Sequence, residues 1–177
     1  MSNVSVVCLL DKYRDGYEER ARVFIEGFKK YGLPEAEARK HIEQIISPGE
    51  EITEIPSLDI SKNHTASKQL KERFLYAGSW KDIGEHLLSI KQISSLIRKK
   101  KFRQWILSMR ENWENSAPWL FSDERLSVLS VSNEDDGDFS LLVWTKDNTE
   151  PEVWRYSGQN EHKFENLLAW LRWLNGE

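Results

Sequence analysis

Leu126-Ser127-Val128-Leu129-Ser130-Val131, then Asn133-Glu134-Asp135-Asp136-Gly137-Asp138, then Phe139-Ser140-Leu141-Leu142-Val143-Trp144-Thr145-Lys146 is the stretch that decides the fold. Successive side chains of a strand point to opposite faces, and both outer runs put apolar residues on both faces, as buried strands do. Gly137 permits a positive φ and the Asn and Asp residues favour turns, so the acidic piece between the runs reads as a hairpin loop. A third strand follows Pro151 as Glu152-Val153-Trp154-Arg155-Tyr156, and Ser157-Gly158-Gln159-Asn160 ends it. A closing helix is expected from near Glu161, with Phe164, Leu167, Leu168, Leu171 and Leu174 on the face that packs on the sheet. Trp170 falls roughly 95° from the centre of that face and Trp173 roughly 155°. Trp173 is therefore either covered by another element or left as an exposed aromatic anchor for a partner.

Upstream, helical periodicity dominates. Tyr13, Tyr17, Ala21, Phe24, Phe28 and Tyr31 share one face of a helix expected over residues 11–31, with Gly32 as its stop. Pro34 opens a second helix over 35–47, and the short link between the two implies a helical hairpin. Residues 50–65 are polar and acidic without a helical period and read as a linker. Further helices are expected over 67–77, 81–97 and 101–115; the last carries Phe102, Trp105, Ile106, Met109 and Trp113 on a single stripe. The fold class is thus α+β: a small antiparallel sheet of about three or more strands, packed by a C-terminal helix, behind a helical first two-thirds. The divisions are 1–49 (helical hairpin), 50–65 (linker) and 66–177 (α+β part), with a single continuous core as the alternative.

The chain has 177 residues, 39% hydrophobic and 31% charged, with a net charge of −4. That balance suits a globular protein and argues against nucleic acid as the main ligand. A single cysteine, Cys8, excludes an internal disulfide and fits a reducing cytoplasm. Asp11 cuts short the apolar run at the start, which lacks a basic lead and is too short to span a membrane. The basic run Arg98-Lys99-Lys100-Lys101-Phe102-Arg103 reads as a solvated helix junction; a phosphate patch or a dock for an acidic partner are the other readings.

No motif carries catalytic chemistry. His41, His64, His86 and His162 lack metal-ligand spacing, and one cysteine cannot build a thiolate site. Asp135, Asp136 and Asp138 surround Gly137 without the order a calcium loop requires. Glycine-rich phosphate loops are missing from the sequence, and Cys8 lies in an apolar run suited to an inert thiol. No cofactor or metal is expected, and an enzyme is the minority reading.

The last third resembles the C-terminal part of the SUKH superfamily, the Smi/Knr-like proteins. The resemblance rests on Leu126-Ser127-Val128-Leu129, the acidic turn, Leu142-Val143-Trp144, Glu150-Pro151-Glu152-Val153-Trp154, and Phe164-Glu165-Asn166-Leu167-Leu168 with Trp170-Leu171. Of the family's N-terminal L-P-x-x-(Y/F) segment, only Gly32-Leu33-Pro34 offers a first part. The resemblance implies helices against one antiparallel sheet and a role in binding proteins, commonly as an immunity protein that neutralises a toxin. Partner contacts are then expected from Trp144, Trp154 and Trp173, surrounded by Glu134, Asp135, Asp136 and Asp138, with a basic toxin domain as the complementary partner. A regulatory or assembly adaptor that docks through its helical front half is the alternative.

Overall fold

The computed structural model describes residues 4–133, 137–146 and 149–177. Three helices come first: α1 (Val6–Asp15), α2 (Tyr17–Lys30) and α3 (Glu35–Arg39). Strands β1 (Ile45–Ile46), β2 (Glu54–Pro56) and β3 (Asn63–Thr65) precede α4 (Lys68–Tyr76). Next come β4 (Trp80–Asp82), β5 (Glu85–Leu87), α5 (Ile90–Leu96), α6 (Lys100–Asn112) and α7 (Ala117–Leu120). The last third holds β6 (Leu126–Asn133), β7 (Asp138–Val143), β8 (Glu152–Ser157), β9 (Asn160–Phe164) and α8 (Leu167–Leu174). The architecture is α+β, as expected, but the sheet is larger than the sequence implied. Among the described residues seven antiparallel strands run in the order β1-β4-β5-β6-β7-β8-β9, and β2 pairs with β3 outside them. The first two-thirds is correspondingly not purely helical.

Each added strand has a local cause. The helix expected over 81–97 gives way to a hairpin, because Trp80 and Asp82 are buried while Lys81 is exposed, a period of two. Asp82 pairs with Glu85, which leaves Ile83-Gly84 as a two-residue loop with Gly84 at φ +74°. The helix begins only at Ser89, which accepts from the Gln92 N–H while the Gln92 side chain accepts from the Ser89 N–H. Likewise Ser157 pairs with Asn160 around Gly158 (φ +58°), so the chain returns as β9 before any helix can start. Ile45 and Ile46, expected to end a helix, pair with Lys81 and Trp80. Asn166 finally caps α8 by accepting from the Ala169 N–H at 3.0 Å. Asn166→Ala is expected to cost about 1 kcal/mol of stability, read as a lower denaturant midpoint with an unchanged slope.

Register assigns two covered faces to the sheet. Phe139, Leu141, Trp154 and Tyr156 line one face, with Phe139 paired to Tyr156 and Leu141 to Trp154. Helix α6 lies on this side, where Phe102 meets Phe139 at 5.3 Å between ring centres. Trp80, Leu87, Ser130, Ser140 and Arg155 line the other face, under α1, α4 and α8. There Tyr13 of α1 and Tyr76 of α4 both pack on Trp80, at 5.5 and 5.9 Å. Helix α8 turns Leu167, Trp170 and Leu171 fully inward. Trp170, placed off the packing face by periodicity alone, is buried because α1 and α4 enclose a second side of this short helix. One buried cluster joins α1, α4, α8 and the sheet, and Ile55 and Leu58 from the stretch read as a linker belong to it.

Candidate binding site

The end of the molecule where the β6–β7 and β8–β9 turns meet α6 holds a cavity of about 320 Å³. Its walls are Trp105, Met109 and Trp113 from α6 and Tyr156 from β8. Ser108, Asn112 and Gln159 bring hydrogen-bonding groups to the lining, and Gly137 and Gly158 complete it from the two turns. Trp113 meets Tyr156 edge-on, 5.3 Å between centres at 79°. A Cβ at Gly137 would stand 2.9 Å from Trp105 Cδ2, so the indole lies against the turn at a distance only glycine permits. Tyr156 is fixed from behind: its hydroxyl accepts from the Ala117 N–H at 2.8 Å. Burial, with Glu161 adding to it, raises the phenol's pKa above its ordinary value and keeps it protonated.

The residues expected to bind a partner divide among several environments. Glu134, Asp135 and Asp136 lie outside the described residues. Asp138 opens β7 and turns to the neighbouring turn, accepting from the Gly158 N–H at 2.7 Å and the Ser157 hydroxyl at 3.4 Å. It thereby ties together the two turns that line the cavity. Trp144 is buried, donates to Ser127 Oγ at 3.1 Å and stacks on His64 at 4.3 Å, so it offers no surface to a partner. Trp154 is also buried; its indole N–H donates to Glu152 at 2.8 Å and Lys163 covers its ring at 3.8 Å. Trp173 alone of the three reaches the surface, 38% exposed, beside Phe164 and His162. It packs over Arg155, whose side chain leaves the sheet on the face opposite Tyr156. The structure therefore keeps Trp173 apart from the aromatic cavity.

Trp105, Trp113 and Tyr156 escaped the sequence reading because they share the periodicity of core residues. Gly137 and Gly158 were readable as turns, and a turn glycine is a place where a ring can approach the backbone; that was the only available signal.

Elsewhere, charged groups gather round Tyr13: Arg20 pairs with Asp82 at 2.8 Å, and both members of this pair act on the Tyr13 phenol together with Glu85 and Arg155. Glu85 and Arg155 form a buried ion pair, joined by the Ser132 hydroxyl on Glu85. Burial raises the Glu85 pKa, with Arg155 opposing. His86, next along β5, points to the other face by strand alternation. It helps line a second cavity of about 380 Å³ with Lys81, Asp82, Glu85, Gln92 and Lys99. Burial first, then Lys81 and Arg73, hold the His86 imidazole below its ordinary pKa. Below about pH 6.5 the unfolded chain then binds more protons than the folded one, so this group lowers stability as the pH falls. His86→Gln is expected to flatten that decline, read as melting temperature between about pH 7.5 and 5.5. Parallel pH profiles for the two proteins would remove His86 as the cause.

Among the described residues no group of three or more His, Cys, Asp or Glu side chains is gathered as a metal site, and no helix is long and apolar enough to cross a membrane. No family model matches the chain, and no curated protein or solved structure matches it either.

Proposed function

We propose that the protein works by binding another protein, with the aromatic cavity at the turn end as its point of attachment. The observation that carries this reading is the lining itself. It combines two half-buried tryptophans, one protonated phenol and amide and hydroxyl groups, which is the chemistry of recognition. Among the described residues of the lining there is no carboxylate, histidine or thiol to accept a proton or attack a substrate. The net charge of −4 and the acidic residues 134–136 and 138 suit a basic partner. The SUKH resemblance gives this binding a specific form, neutralisation of a basic toxin. Replacing Asp135 and Asp136 together by Asn is expected to slow association at low salt, and an unchanged on-rate would separate the acidic turn from the site.

A second reading, an adaptor docking through its front half, has one observation in its favour. The tip of the α2–α3 hairpin exposes Tyr31 (86%) and Leu33, with Val23 also exposed on α2. Capture from lysate of the source organism by wild type, Trp113→Ala and Tyr31→Ser, quantified by mass spectrometry, decides between the two. A stoichiometric partner lost about 30-fold with Trp113→Ala and kept by Tyr31→Ser supports the cavity, because a hot-spot residue contributes about 2 kcal/mol or more. The reverse pattern supports the adaptor. A partner unaffected by either variant rejects both surfaces.

A further inference from the structure

We infer that the cavity takes an arginine side chain from a basic segment of the partner, which rests on the protein-binding reading and names the chemistry of its contact. Four of the chain's aromatic rings already hold a cation. Arg20 lies over Tyr13 at 3.8 Å, Arg73 over Phe74 at 3.9 Å, Arg155 over Trp173 at 5.3 Å and Lys163 over Trp154 at 3.8 Å. In each pair a ring's negative face is met by a cation from the same chain. Among the described residues no cation is found over Trp105 or Trp113, and the lining contains neither lysine nor arginine. These two indoles are only half-buried and wall an open recess.

Three further features favour a positive guest. The recess lies along the second half of α6, whose C-terminal carbonyls carry the negative end of the helix dipole. Arg110, the basic residue of that last turn, is directed elsewhere, donating to the Pro118 carbonyl at 2.8 Å and to Asp123 at 2.7 Å. Two carboxylates stand behind the walls: Asp138 on the Gly158 N–H, and Glu161 opposite Tyr156 in the β8–β9 pair. Glu161 holds Lys163 at 3.0 Å through Oε1 while its Oε2 is buried without a hydrogen-bond partner, so among the described residues Asp138 is the carboxylate here without a paired cation. Arginine is favoured over lysine because a planar guanidinium stacks flat on an indole while its edge N–H groups reach the amides of Asn112 and Gln159. The volume, at the lower end of the roughly 300–1,000 Å³ of small-molecule sites, suits one side chain better than a cofactor.

The test uses full-length protein and a nine-residue glycine–arginine peptide, against the same peptide with citrulline in place of arginine. Citrulline keeps the shape and removes the charge. Titration is followed by tryptophan fluorescence and calorimetry. Saturable binding of the arginine peptide is expected, at least tenfold weaker for the citrulline peptide and at least tenfold weaker in Trp113→Ala. Ser108→Lys, at an exposed position on the rim, places the chain's own cation at the recess and is expected to weaken binding as much without removing a packed ring. Equal binding of the two peptides overturns the cationic guest while leaving the partner-capture result intact. Undiminished binding in both Trp113→Ala and Ser108→Lys overturns the location, and no binding of the arginine peptide overturns the inference outright. Loss of captured partner in the lysate experiment, by contrast, bears on the protein-binding reading alone.

Discussion

Replacing Glu85 by alanine is expected to destabilise the fold by about 3–5 kcal/mol, the usual result of stranding one partner of a buried ion pair. Side-chain exposure is 3% for Glu85 and 10% for Arg155, so little water reaches the guanidinium once its carboxylate is gone. The surroundings offer only neutral groups in its place. Ser130, Ser140 and Arg155 occupy successive positions across β6, β7 and β8, and a serine hydroxyl can accept from the guanidinium but cannot neutralise its charge. Trp173 offers the guanidinium a ring face at 5.3 Å, far weaker compensation than a carboxylate. The loss therefore comes mainly from the uncompensated charge, and less from the attraction removed. Glu85→Met combined with Arg155→Met should accordingly recover most of the stability, since well-packed apolar residues replace buried pairs at little or no cost. Urea unfolding of the single and double variants checks this. A double variant no more stable than Glu85→Ala would show that the pair contributes specific attraction that apolar packing cannot replace.

That pair also shows what a sequence can and cannot reveal. Glu85 and Arg155 stand 70 residues apart, and nothing local to Glu85-His86-Leu87 marks its first residue as buried. A three-residue strand is too short for period two to emerge against the helical spacing of Ile83, Leu87 and Ile90, which is why 81–97 reads as one helix. Strands β6, β7 and β8 were legible because they are six to eight residues long and separated by turn-forming residues. The helix α4 was legible for a similar reason, with Ser67 as its cap and a clean apolar face. At the candidate site, the charge of the acidic turn could be read, but the hold of Asp138 on the neighbouring turn could not. Trp105 and Trp113 lie on the same stripe as Phe102, Ile106 and Met109, and periodicity does not distinguish a ring sealed against the sheet from one that walls an open recess. Only the turns that approach α6 make that difference, and they come from residues distant in sequence.

Gly137→Ala is expected to cost about 2–4 kcal/mol and to weaken arginine-peptide binding together with stability, because two independent penalties meet at this residue. Its φ of +75° lies in the left-handed region, where a Cβ costs about 1–2 kcal/mol. The new methyl group would also stand 2.9, 3.0 and 3.1 Å from Cδ2, Cε2 and Cε3 of Trp105. An indole is rigid and cannot yield as the end of a lysine would, so the ring must swing and take the cavity wall with it. The two penalties separate experimentally. In a Trp105→Ala background the steric term vanishes, and Gly137→Ala should cost only the backbone strain. Gly137→Asn does the opposite, since asparagine tolerates the left-handed region but keeps a Cβ against the ring. Denaturant midpoints for wild type and the four variants give the stability terms, and peptide affinity in Gly137→Asn reports on the wall alone. Were Gly137→Asn to match wild type in both stability and affinity, the indole would not be held by the turn, and the recess would owe its shape to α6 alone.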